Sequence, residues 1–250
     1  TGNKFEFRML GSSQSIAGPN IALNTIMAEE LGLFADELEK AEDFDTALQN
    51  LVCKAFTDHQ RIIFNGNGYS QEWKDEAAKR GLSNHASTPA ALPTYIAQEN
   101  IDLVTKHGIY TEAEFFARYS IYLDSYNKVV NIEARTMVDM ALHQIMPAAM
   151  RYTKELCDTI TVKKSLGIAC NAESVLVKNL SVHTEALYDG IRMMGYALEN
   201  LPKDAEAASM YYHDTVVPGM QAIRSAADML ERLTDKSYWP YPTYSDLLFY

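Results

Sequence analysis

Residues 176–198 read LVKNLSVHTEALYDGIRMMGYAL. Leu176, Leu180, His183, Leu187, Ile191, Met194 and Leu198 step by 4, 3, 4, 4, 3 and 4 positions, which puts them on one face of a 3.6-residue turn. That spacing predicts an amphipathic helix closed by Pro202. Downstream, Val216, Met220, Ile223, Ala227 and Leu230 repeat the period, with Pro218 near the centre of a last helix or at a break between two segments. Upstream, Thr111-Glu112-Ala113-Glu114 is a capping-box start. No Gly or Pro follows it until Pro147, so a long rod is expected. Its apolar positions include Phe115, Tyr119, Tyr122, Tyr126, Val129, Val130, Met137, Met140 and Ala141. Pro147 should kink or end it before Ala148–Ser165 continues and Gly167 terminates. Short connections and the lack of a fixed repeat favour an antiparallel helical bundle over a solenoid.

The first hundred residues give weaker signals. A helix is expected over Ile21–Ala41, with Leu31, Phe34, Ala35 and Leu38 as a one-sided stripe. Asp43 or Asp45 should cap a second helix burying Leu48, Leu51, Val52, Ala55, Phe56 and Ile62 or Ile63. Asn65-Gly66-Asn67-Gly68 should end it with residues that tolerate positive φ, and a loop region is expected to about Pro93. The tail, Tyr238-Trp239-Pro240-Tyr241-Pro242-Thr243-Tyr244-Ser245-Asp246-Leu247-Leu248-Phe249-Tyr250, is too aromatic to be left in water. It reads as extended and should dock on something.

The 250 residues contain 47% hydrophobic and 22% charged residues, ordinary globular values, and the longest apolar runs stop far short of a membrane span. Lys and Arg number 22 against 33 Asp and Glu, a net charge of −11 that repels phosphate backbones. Lys163-Lys164 is too small a basic patch to reverse this, so neither nucleic acid nor membrane is an expected partner. Cys53, Cys157 and Cys170 are odd in number and include no CxxC, which fits reduced thiols and a cytoplasmic location. The chain has no initiator methionine and enters strand-like sequence at once, as an excised fragment would.

Lys4-Phe5-Glu6-Phe7-Arg8-Met9 alternates charged and apolar residues with the period of a β-strand. Lys4, Glu6 and Arg8 then share one face, about 7 Å apart in turn. An acid between two bases suits phosphoryl transfer. The carboxylate can ligate an oxygen-preferring cation, and the guanidinium can hold a carboxylate or phosphate at two points. The same alternation also describes a surface strand with solvated charges.

The segment Lys4-Phe5-Glu6-Phe7-Arg8, followed by a loop and then Ala17-Gly18-Pro19-Asn20-Ile21-Ala22-Leu23, resembles the glutamine synthetase catalytic domain. That family has a basic-apolar-Glu-apolar-Arg strand before an Ala-Asn-Pro-Tyr-Leu type helix start. Here the loop is longer and Pro19-Asn20 stands for Asn-Pro, as in the divergent type III branch. Gly2-Asn3-Lys4-Phe5-Glu6-Phe7-Arg8-Met9 and the ending Trp239-Pro240-Tyr241-Pro242-Thr243-Tyr244-Ser245-Asp246-Leu247-Leu248-Phe249 are similar to that branch too. The resemblance implies a ligase that makes glutamine from glutamate, ammonia and ATP through γ-glutamyl phosphate, with Mg²⁺ or Mn²⁺. Glu6 would be a metal ligand, Arg8 would bind substrate glutamate, and Lys4 would contact the nucleotide in place of an expected Arg. The resemblance also implies a ringed homo-oligomer with active sites between subunits. The remaining ligands would lie upstream, leaving this piece inactive alone.

The resulting expectation is a mainly α chain, an antiparallel bundle with one N-terminal strand. Residues 1–30 end a catalytic domain, 31–236 form a helical domain and 237–250 an extended tail. Asp139 and His143, at i and i+4 near Glu133, lack a second matching pair, so a solvated or core pair is expected rather than a metal site. His183 reads as a core histidine. His59, His85, His107 and His213 show no HExxH spacing, and Cys157 has no nucleophile context. The competing reading is a helical interaction module without chemistry.

Overall fold

The computed structural model describes Gly11 and residues 14–248. The expected strand at Lys4–Met9 therefore lies outside the described residues; within them the chain is helical. In order come α1 (Ala17–Leu38), α2 (Phe44–Asp58), a 3₁₀ turn (Gln60–Ile62), α3 (Gln71–Lys79), α4 (Thr88–Tyr95), α5 (Gln98–Lys106) and α6 (Glu112–Met140). They are followed by α7 (Met146–Ser165), α8 (Asn171–Glu199), α9 (Ala205–Tyr211), α10 (Val217–Leu233) and α11 (Tyr244–Leu248). No helix among the described residues is long and apolar enough to cross a membrane.

The chain divides into two compact units. One runs to Ala86 and resumes over Thr94–Ala117; the other comprises Ser87–Pro93 and the chain from Arg118 onward.

In the first unit, local chemistry sets the helix ends. Asp43 caps α2 by accepting the Thr46 N–H, and Ser70 caps α3 by accepting the Trp73 N–H. Each satisfies a donor that the first turn leaves orphaned. The Thr111–Glu114 capping box forms as expected. Glu114 accepts from the Thr111 N–H at 2.9 Å, and the Glu114 N–H donates to Thr111 Oγ1 at 3.3 Å. A small core joins Ile101, Val104 and Phe115, against which Tyr95 stacks at 4.2 Å between ring centroids.

Three expectations for this unit are corrected. The second helix ends at Asp58, not at Asn65–Gly68, and a 3₁₀ turn follows. The region read as loop contains α3 and α4; α3 is a short charged helix whose Ser70 cap, rather than any apolar stripe, marks it. Burial also differs. In α2 only Leu51 is buried, while Leu48, Val52, Phe56, Ile62 and Ile63 are exposed, and in α1 only Thr25 is buried.

The second unit is a bundle in which α8 packs against both α7 and α10. The predicted stripe is the core: Leu180, Leu187, Ile191, Met194 and Leu198 of α8 are buried with Val216, Ile223, Ala227 and Leu230. α8 and α10 approach closely at Gly190, where an added Cβ would meet Ile223 Cγ1 at 2.9 Å. Gly167, at φ +72°, ends α7 as expected, in a left-handed conformation that favours glycine.

Neither Pro147 nor Pro218 ends its rod, and Pro218 stands, as expected, near the centre of the Ala205–Leu233 rod at the break between α9 and α10. Each lies just past a π-helical turn, Ala141–Ile145 and Tyr212–Val216, after which the helix resumes with the proline in its first turn. A proline ring clashes with the carbonyl four residues back and supplies no N–H. The wider π turn moves that carbonyl aside, so the rod continues with one bulge.

Candidate functional site

The residues singled out for chemistry, Lys4, Glu6 and Arg8, lie outside the described residues. The other candidates resolve into surface and core roles. Asp139 and His143 are both exposed, with His143 Nε2 3.7 Å from Asp139 Oδ1, a solvated i,i+4 pair. Among the described residues no three His, Cys, Asp or Glu side chains gather closely enough to hold a metal ion. His183 is half-buried on α8, and Cys157 is exposed.

What the second unit builds is an apolar groove of about 620 Å³ between α6 and α10. Met137, Met140, Ile145 and Met220 form its walls, and the tail crosses it with Trp239, Tyr241 and Leu247. The first π turn contributes Ala141 and Ile145 to this wall. The prolines signalled a disturbance in each rod, but only the fold places the first beside the groove.

The tail docks within its own unit, with Trp239 and Tyr241 packed against the main core. Its last part is not extended, since α11 forms over Tyr244–Leu248. Polar clamps fix it. Arg224 donates to Asp228 at 2.8 Å and also to the Tyr244 hydroxyl, while the Tyr244 N–H donates to Glu231 at 2.8 Å. The Tyr238 hydroxyl donates to Glu155. Asp246 accepts from Lys236 and from the Thr243 N–H and hydroxyl, both at 2.9 Å. The lysine, then these threonine donors, hold the Asp246 carboxyl down at about 2.

At the start of the bundle the buried Tyr119 hydroxyl donates to Glu206 at 2.6 Å. Burial first, and the carboxylate second, push that phenol up to about 12. In the first unit Glu29 of α1 receives Lys106 at 2.5 Å and lies 2.7 Å from His107 Nε2. These two partners lower its pKa and tie α1 to the end of α5. These groups order helices. Methionine, isoleucine and aromatic rings dominate the groove, and of the charged groups on its lining, Arg224, Asp228 and Glu231 are taken up in the clamps on Tyr244.

Comparison with known proteins supplies the rest. Residues 47–164 match the glutamine synthetase C-terminal domain. All of the chain aligns with a glutamine synthetase from Butyrivibrio fibrisolvens at 35% identity, covering 36% of that protein. It also aligns with a type-3 glutamine synthetase from Dictyostelium discoideum at 32% identity, covering 35%, and with a glutamine synthetase from Bacteroides fragilis at 32% identity, covering 36%. The chain thus spans about a third of the length of the curated relatives it matches.

Proposed function

Because this chain belongs to the glutamine synthetase family and carries its C-terminal domain, we propose that it is one part of a glutamate–ammonia ligase. In this reading residues 1–30 complete an active site built mainly by preceding polypeptide, and the helical body supports that site. The observation that carries it is the alignment of the whole chain, first residues included, with a third of each relative. A free-standing helical interaction module gives no reason for similarity to extend through residues 1–30.

Within the parent, a γ-carboxylate oxygen of glutamate bonds to the γ-phosphorus of ATP and ADP leaves. Ammonia then attacks the resulting acyl carbon, loses a proton and displaces phosphate. Arg8 holds the amino-acid substrate by two parallel N–H donors, fixing the attacking oxygen. Lys4 contacts the nucleotide. Glu6 offers one hard oxygen ligand, which suits Mg²⁺ or Mn²⁺. A bound ion of that kind neutralises phosphate charge. One carboxylate does not make a site, and no three metal-binding side chains gather among the described residues. Other ligands are therefore assigned to the parent's remaining sequence, and the chain alone should form no glutamine. The parent is expected to act as a cytoplasmic ringed homo-oligomer.

The test is glutamine formation from glutamate, ATP and ammonia by the parent. Glu6→Ala and Arg8→Ala should each lower kcat/KM at least about a hundredfold. Unchanged turnover in both would discard the assignments.

A further inference from the structure

We propose that Phe44, Leu48, Val52 and Phe56, a continuous apolar stripe on α2, are the docking surface for the polypeptide that precedes this chain in the parent. The inference rests on the reading of the chain as part of a longer ligase and names the partner of its helical region. The four residues lie at i, i+4, i+8 and i+12 and are 54%, 38%, 46% and 64% exposed. Such spacing places them along one side of a helix. The centre of the set formed by buried Leu51 and half-buried Ala47 and Ala55 lies about 80° round the helix from the middle of that stripe, and the two sets meet at Phe44 and Leu48. α2 therefore carries one broad apolar arc, of which its own unit covers one edge and leaves the edge from Leu48 to Phe56 exposed.

α1 shows the same deficit. Its sequence is apolar around much of its circumference, yet Thr25 is its one buried residue, and Ile26, Met27, Leu31 and Leu33 are exposed. Helices of this length draw most of their stability from packing of an apolar face. A contiguous exposed patch of this kind marks an interaction surface.

The length of the parent and the tether identify the occupant. The relatives are about three times as long as this chain. Arg8, assigned to the ligase site, is nine positions before Ala17, where α1 begins. Nine residues reach at most about 30 Å. The start of α1 is therefore held within about 30 Å of the ligase site of its own chain, which makes an apolar face on that catalytic body the nearest cover for the stripe.

The experiment uses the whole parent protein with Phe56→p-benzoylphenylalanine, an aromatic replacement at an exposed position. Phe44→p-benzoylphenylalanine, at the other end of the stripe, is the second variant. Isotopically light and heavy copies are mixed before irradiation, cross-linked peptides are mapped by mass spectrometry, and glutamine formation is measured on the same samples. The expected result is cross-links from both positions to sequence preceding Thr1, confined to copies of one isotope. Cross-links between isotopes, to residues 118–248, or to nothing would overturn the docking assignment. An active parent with any of those outcomes leaves the ligase reading standing; a parent that makes no glutamine whatever the cross-links removes the reading itself.

Discussion

Two helix pairs of this chain are rich in apolar residues and meet opposite fates. α8 and α10 bury six and four residues, respectively, whereas α1 and α2 bury one each. The difference is not helix formation, since α2 is properly capped by Asp43. It is supply of partners. α8 has α7 and α10 against it, while much of α1 and α2 faces solvent. An apolar stripe specifies a face that needs cover. Whether the cover lies in the same stretch of chain is a separate fact.

The largest effect that would sharpen this contrast comes from paired truncations. Leu187→Ala, at a position with 0% exposure, should cost about 3 kcal/mol in denaturant unfolding of this chain. Val52→Ala should change its stability by no more than about 0.5 kcal/mol. Equal losses would break the comparison.

A smaller effect comes from glycines within α8. Gly190→Ala forces a methyl against buried Ile223, and overpacking of that kind outweighs the helix-propensity gain, for a net loss of about 1 kcal/mol. Gly195 has nothing within 4 Å of an added Cβ, so Gly195→Ala should gain about 0.5–1 kcal/mol. The two melting midpoints should move in opposite directions.

The smallest effect concerns how the second unit covers itself. Asp246 is depressed to about 2 from 3.8 by Lys236 and Thr243. A depressed carboxyl contributes stability above its unfolded value, and that contribution is lost as pH falls through the folded one. The tail clamp should therefore be intact above pH 4 and loosen between about 4 and 2. Trp239 fluorescence should report this, and Asp246→Asn should flatten the change.

Much of the second unit, and the start of α6 in the first, was legible in the sequence. The α8 period, the Thr111–Glu114 box and Gly167 each impose a local physical requirement that one stretch of residues reveals. Pro147 and Pro218 announced a disturbance but not its form, because a π turn depends on the surrounding bundle keeping the rod continuous. α3 was missed because its residues, QEWKDEAAK, lack an apolar stripe. The burial of α2 was misjudged for the reason that opens this comparison: periodicity identifies an apolar face without identifying its partner. Of the candidate site, Lys4, Glu6 and Arg8 rest on alternation and resemblance and lie outside the described residues. The groove beneath the tail was not legible, since it joins α6, α10 and residues 239–247.

The most direct test of the central claim is amide hydrogen exchange, read on Phe44–Asp58 and on Asn171–Glu199, in this chain and in the parent. In this chain α2 should exchange at least about a hundredfold faster than the core of α8, as a helix with little buried contact opens easily. In the parent, α2 should slow toward the rate of α8 while α8 stays unchanged. An α2 that is already as protected as α8 in the chain alone, or that exchanges as fast in the parent, would contradict the account.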